Sequence, residues 1–214
     1  MVTMPLTLCL VTKPDYQSIE NYLHFLKTVV NAGVTMVQLR DKITPFASLL
    51  PVAQQMKALL NACNVPLLIN DNVALAKAMD ADGVHLGQSD SNPFTARELL
   101  KPDAIIGYSI ESFADLDKAN RMDCIDYVAA SAVFASKSKA DLKTLWGLEG
   151  LNALVSQAKH PVMAIGGITA GNAKEVMQQG GCGVAVISAL HEAVNPFLAT
   201  QKLRKAIEEG RQRV

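Results

Sequence analysis

Asp71 and Asp90 are the residues of this 214-residue chain from which a chemistry can first be argued. Each closes a short apolar run: Pro66-Leu67-Leu68-Ile69-Asn70 precedes Asp71, and Gly83-Val84-His85-Leu86-Gly87-Gln88-Ser89 precedes Asp90. Between them lies a brief helical pattern carried by Val73, Leu75, Ala76 and Met79. Runs so short and so continuously apolar are strands rather than amphipathic helices, and the connection is long enough for a crossover, so the stretch predicts one βαβ unit. The two carboxylates then leave neighbouring parallel strands at the same end. That makes a cradle for a hard divalent cation, because Mg²⁺ takes a few oxygen ligands and keeps its other positions for water and substrate phosphate.

The elements that must position this pair run the length of the chain. Strands are predicted over 6–12, 34–40, 66–71, 83–90, 104–109, 126–134, 161–168 and 183–188. Ile19, Tyr22, Leu23, Leu26, Val29 and Val30 space a helix opened at Ser18 and ended by Gly33. Thr44-Pro45 reads as an N-cap and first-turn proline ahead of an inner face of Phe46, Leu49, Leu50, Ala53, Met56 and Leu60. Further helices are expected from Asn92-Pro93, from Ser112, over 148–158, from Thr169 to Gln179, and over 196–209. Eight strands, each followed by a helical pattern and unbroken by any linker, predict a single (β/α)₈ TIM barrel domain over 1–214. A doubly wound open sheet is the alternative, but its glycine fingerprint after the first strand is missing.

Composition narrows the function. Half the residues are apolar and aromatics are few, so the core is large and aliphatic. Lys plus Arg balances Asp plus Glu at 20 each, which gives no overall pull toward nucleic acid or an anionic membrane. Cys9, Cys63, Cys124 and Cys182 are scattered without a CxxC pair, the pattern of reduced thiols in a cytoplasmic protein. No basic leader or membrane-length apolar run is seen. The partners expected are small molecules, with a homo-oligomer compatible with the sequence.

In a TIM barrel the reacting groups sit where strands finish. Those ends carry Gln38, Arg40, Asp41 and Lys42; Asn70 and Asp71; Gln88 and Asp90; Ser109; Ser136, Ser138 and Lys139; Gly166 and Gly167; Ile187 and Ser188. The opposite end shows no comparable set. Gly166-Gly167 ahead of a helix entrance offers bare amides to a phosphate, where this architecture usually places one. Arg40, Lys42 and Lys139 facing two carboxylates suit a metal-bound polyphosphate, Arg as a fork and Lys as a point charge. The polar connection 135–146 is long enough to be functional. His85, inside a strand, reads as a hydrogen-bonded core histidine.

The ordered set Val37-Gln38-Leu39-Arg40-Asp41-Lys42, Ile69-Asn70-Asp71, Asp82 to Asp90, Ile106-Gly107-Tyr108-Ser109, Phe134 to Lys139, Ala164-Ile165-Gly166-Gly167-Ile168 and Gly183 to Ser188 resembles thiamine-phosphate synthases over nearly the whole chain. The resemblance implies a transferase that joins hydroxymethylpyrimidine pyrophosphate to hydroxyethylthiazole phosphate, giving thiamine phosphate and pyrophosphate. It implies that Gln38, Arg40, Lys42, Asn70, Ser109 and Lys139 hold the pyrimidine pyrophosphate, with Arg40, Lys42, Lys139 and Ser109 catalytic. Asp71 and Asp90 would hold Mg²⁺; Ser136, Ser138, Gly167, Ile187 and Ser188 would hold the thiazole phosphate. The chain departs from the family where Asn72 replaces a usual Arg, Asp41 a common Glu, Ser136 and Ser138 usual threonines, and Ser131-Ala132 a common Gly-Pro. The alternatives are a related thiazole tautomerase, which needs no pyrophosphate site, and a non-catalytic sensor of the thiazole phosphate.

Overall fold

A computed structural model describes residues 5–13, 18–136 and 144–212. Eight parallel strands close on themselves in sequence order: β1 (Leu8–Val11), β2 (Met36–Leu39), β3 (Leu67–Asn70), β4 (Gly83–Leu86), β5 (Ile105–Ile110), β6 (Tyr127–Ser131), β7 (Val162–Ile165) and β8 (Gly183–Val186). Leu8 faces Val184 and Leu10 faces Val186, so β1 seals against β8. The helices outside are α1 (Ile19–Ala32), α2 (Phe46–Ala62), α3 (Val73–Ala78), α4 (Pro93–Leu99), α5 (Phe113–Ala119), α6 (Gly147–Gln157), α7 (Ala173–Met177), α8 (Ser188–His191) and α9 (Pro196–Arg211). This is the (β/α)₈ barrel that the alternation predicts.

Strand alternation divides the interior in two. Residues of one phase, such as Leu8, Leu10, Val37, Leu39, Ile69, Val84, Val128, Ala164 and Val186, face outward and pack against the buried faces of the helices, among them Leu26, Met56, Leu60, Leu154 and Leu203. Each fully buried aliphatic side chain of this kind contributes about 1.5–3 kcal/mol. The other phase, with Cys9, Val11, Met36, Leu68, Tyr127, Ala129, Met163 and Ala185, fills the barrel. Burial pushes the Cys9 and Cys182 thiols up to about 12, which leaves them neutral and unreactive.

Local chemistry corrects several expected boundaries. Thr44 does not cap α2: Pro45 stands at the cap position without a side-chain bond, and the Asp41 carboxylate accepts the Ile43 and Thr44 amides at 2.8 and 2.9 Å in the turn before it. Phe46 is 42 % exposed rather than part of the inner face. Strand β6 stops at Ser131 instead of 134, and β7 stops before Gly166. Thr169 does not open α7 either; its amide donates to Asn172 Oδ1 at 2.8 Å, and Asn172 is the residue preceding the helix. Ser188 begins the four-residue α8, an element too short for any periodicity to announce.

The barrel floor carries charge of its own. Asp82 accepts the Leu67 amide at 2.9 Å and pairs with Lys57 and Lys101. Asp126 accepts the Ile106 amide and the Arg97 guanidinium, both at 2.7 Å. These acids tie one strand's entry to its neighbour, a structural task.

Candidate active site

Because successive inward residues are two apart, each strand that ends at the mouth presents a short column of side chains to it. Gln38 and Arg40, His85 and Gly87, Ser109 and Glu111, Tyr127, Ala129 and Ser131, Met163 and Ile165, and Ala185 and Ile187 all line one cavity of about 330 Å³. Lys42, Asn70, Asp71, Gln88, Ser89, Asp90, Ser136 and Gly166 line it as well. The structure therefore brings together Gln38, Arg40, Lys42, Asn70, Asp71, Asp90, Ser109, Ser136 and Ile187 of the predicted set. Gly167 and Ser188 adjoin lining residues without lining the cavity themselves, and Ser138 and Lys139 lie outside the described residues.

Asp71 stands one residue past β3 with φ +63°, a left-handed conformation that aspartate tolerates better than most residues. Its amide donates to His85 O at 2.9 Å, which fixes it beside β4. Asn72 then caps α3, its Oδ1 accepting the Leu75 amide at 2.9 Å, a bond that an arginine at this position could not make. Lys42 Nζ lies 2.9 Å from Asp71 Oδ2. Asp90 Oδ2 accepts the Gly87 amide. Burial raises the Asp90 carboxyl above its ordinary 3.8, and the Asp71 carboxyl within bonding reach raises it further, while the Gly87 amide and Lys42 act the other way. Two carboxylates held so close repel, and a divalent cation between them would remove the conflict. Among the described residues no group of three or more His, Cys, Asp or Glu is placed to hold a metal. What the two neighbouring carboxylates offer is a pair of oxygen donors, the chemistry that suits a hard cation leaving most of its positions to water and substrate.

Beside the acids, Arg40 lines the cavity and has no ion-pair partner among the described residues. Deeper down runs a hydrogen-bonded chain that sequence reasoning only half anticipated. His85 is a bonded core histidine as expected, yet it also walls the cavity: Nδ1 is 2.9 Å from Tyr127 OH and Nε2 is 2.9 Å from Ser109 Oγ. Gln38 bonds the same phenol, which burial pushes well above its ordinary 10. Gln88 is spent on structure, donating to Ser109 O at 2.7 Å and accepting from Tyr108 OH at 3.0 Å. Tyr127, Ser131, Met163 and Glu111 were missed; counting on by two from Ser109 reaches the last, but the first three are in phase only with the observed strand ends Ser131 and Ile165, and the expected ends at 134 and 168 fall on the opposite phase.

Across the barrel, Gly166 and Gly167 take φ of +100° and +62°. A Cβ at Gly166 would meet Ala132 Cβ at 2.3 Å, and one at Gly167 would meet Ala135 O at 2.7 Å, so only glycine fits either place. Ile187 precedes α8, and its carbonyl accepts the Leu190 and His191 amides at 3.3 and 3.2 Å and faces His191 Nδ1 at 2.9 Å. His191 Nε2 lies 3.1 Å from Tyr22 OH. Its role is thus in the scaffold behind the mouth rather than at a ligand.

Burial lowers the His191 pKa below 6.5. A histidine depressed in the fold contributes stability that is whole above the unfolded value and is lost as pH falls from there through the lowered folded value. The urea midpoint of the wild type should therefore drop more between about pH 7 and about pH 5 than that of His191→Phe. Parallel pH dependences in the two proteins would exclude this role.

Comparison with known proteins adds the following. Residues 8–190 match the family model described as thiamine monophosphate synthase. The chain is 41 % identical over 203 residues to the thiamine-phosphate synthase of Chlamydia abortus, covering 95 % of each chain. It is 41 % identical over 189 residues to that of Vibrio campbellii, covering 88 % of this chain and 92 % of the other. The solved thiamine phosphate pyrophosphorylase of Pyrococcus furiosus superposes with a TM-score of 0.87 at 34 % identity, covering 97 % of this chain and 98 % of that one.

Proposed function

Because this chain belongs to the thiamine monophosphate synthase family, a family of transferases, we propose that it condenses hydroxymethylpyrimidine pyrophosphate with hydroxyethylthiazole phosphate, with Mg²⁺, to give thiamine phosphate and pyrophosphate. The observation that carries the reading is the mutual placement of Asp71, Asp90, Lys42 and Arg40 on one side of a cavity whose far wall holds Ser136, Gly166 and Ile187. One side suits a metal-bound diphosphate. The other suits a phosphate monoester.

In this reading the bond from the pyrimidine methylene carbon to the pyrophosphate oxygen breaks first, and its electron pair leaves with pyrophosphate. The thiazole nitrogen then gives its lone pair to the methylene carbon, forming the C–N bond without a protein nucleophile or a proton transfer. Mg²⁺ held by Asp71 and Asp90 would neutralise charge on the departing group. Arg40 and Lys42 add their charges to the same oxygens, with Lys139 as a third cation carried by the resemblance. Gln38, Asn70 and Ser109 hold the pyrimidine, with Ser109 oriented by His85. The apolar wall of Ala129, Met163 and Ala185 keeps water from the cationic carbon. Ser136, Ser138, Gly167, Ile187 and Ser188 seat the thiazole phosphate. Most of the rate enhancement would then come from positioning and charge.

A coupled pyrophosphate-release assay with the two substrates tests this. Pyrophosphate and thiamine phosphate should form in equal amounts, and only with Mg²⁺ present. Thiazole isomerisation without metal, or phosphate-ester binding without turnover, would replace the proposal with the tautomerase or the sensor.

A further inference from the structure

Parallel strands β1 and β2 exchange bonds in a fixed order: the Thr12 amide donates to Gln38 O at 2.9 Å, and the next rung would run from the Arg40 amide to the Thr12 carbonyl. That rung is replaced. The Arg40 amide donates to Thr12 Oγ1 at 2.8 Å, and the same hydroxyl donates back to Arg40 O at 3.2 Å. Thr12 is fully buried, so these bonds compete with no solvent. One residue thus fixes the main chain of Gln38 through its amide and of Arg40 through its side chain, and both of those side chains line the cavity.

On the far side of Arg40, the Asp41 carboxylate closes the turn that follows by accepting the Ile43 and Thr44 amides. Burial raises the Asp41 carboxyl, but the Thr44 and Ile43 bonds outweigh it and hold the group below its ordinary value, so it stays ionised. The segment bearing Arg40 and Lys42 is therefore pinned at both flanks, by a neutral hydroxyl and by a charged turn.

We propose that Thr12 is a positioning residue for pyrophosphate recognition: its hydroxyl clasp on the Arg40 main chain aims the guanidinium into the cavity. The inference rests on the assignment of Arg40 to the pyrophosphate made above. A guanidinium grips phosphate oxygens through a planar fork, so a small rotation of the backbone that carries it costs more than the same rotation beneath a lysine.

The test measures binding of inorganic pyrophosphate with Mg²⁺ by calorimetry, together with KM for each substrate, in wild type, Thr12→Val, Thr12→Ser and Arg40→Ala. Thr12→Val keeps the shape and loses the hydroxyl. It should weaken pyrophosphate binding and raise KM for the pyrimidine substrate about tenfold, with KM for the thiazole phosphate changed less than about twofold. Thr12→Ser restores the hydroxyl and should stay within about threefold of wild type. If Thr12→Val does not fold, Thr12→Ala removes the same hydroxyl with a smaller side chain and carries the comparison. Wild-type binding in Thr12→Val beside weak binding in Arg40→Ala overturns the clasp alone. Equal losses for both substrates, or a Thr12→Ser as impaired as Thr12→Val, overturn it too. Wild-type pyrophosphate binding in Arg40→Ala overturns the underlying assignment and the clasp with it.

Discussion

Asp71→Asn should lower kcat on the order of 10²–10³-fold, the scale of losing one charge-stabilising group, while the protein stays folded. Asparagine is the informative substitution because it tolerates the left-handed backbone that Asp71 occupies at φ +63°, where alanine would add strain. The lost ion pair to Lys42 costs little, since that lysine side chain is 59 % exposed. Removing one of two neighbouring carboxylates also relieves Asp90, which Asp71 helps to hold above its ordinary value. Thermal unfolding should therefore stay within a few degrees of wild type as pyrophosphate release collapses. Wild-type turnover, with an unchanged Mg²⁺ requirement, would remove Asp71 from the metal site.

Gly107→Ala should do its damage through packing. A Cβ there would lie 2.2 Å from Tyr127 Cζ, 2.4 Å from its hydroxyl and 2.5 Å from His85 Nδ1. None of these atoms can yield cheaply: Tyr127 is fully buried and His85 is held on both ring nitrogens. Overpacking and a broken buried hydrogen bond together should cost about 2–5 kcal/mol. For a chain of this size that lowers Tm by roughly 5–15 °C. Activity should fall as well, because Ser109 loses the histidine that orients it. A Tm within a degree or two of wild type would mean that the His85 and Tyr127 pair is not held rigidly in the cavity wall.

The rim was legible because the architecture dictates it. Once the apolar runs are recognised as parallel strands, their carboxyl ends must gather at one mouth, so Gln38, Arg40, Asn70, Asp71, Asp90 and Ser109 can be named from position alone. The floor was harder to read. Asp82 and Asp126 resemble rim acids in type, and only their place at strand entries, against Lys57, Lys101 and Arg97, assigns them to holding the barrel shut.

What the amino-acid sequence determined by itself was periodic and local: strands from continuous apolar runs, helices from three- and four-residue spacing, and the family from ordered motifs. What only the tertiary structure decided depends on residues that chain distance keeps apart. His85 meets Ser109 across 24 positions and Tyr127 across 42, and the Thr12 hydroxyl reaches Arg40 across 28. The same holds for α8, whose four residues cannot sustain a helix on propensity and are held by the buried Leu190 and the Tyr22 to His191 contact. Closure of the barrel sets all of these distances, and no local pattern encodes the geometry of a ring that exists only once β8 has met β1.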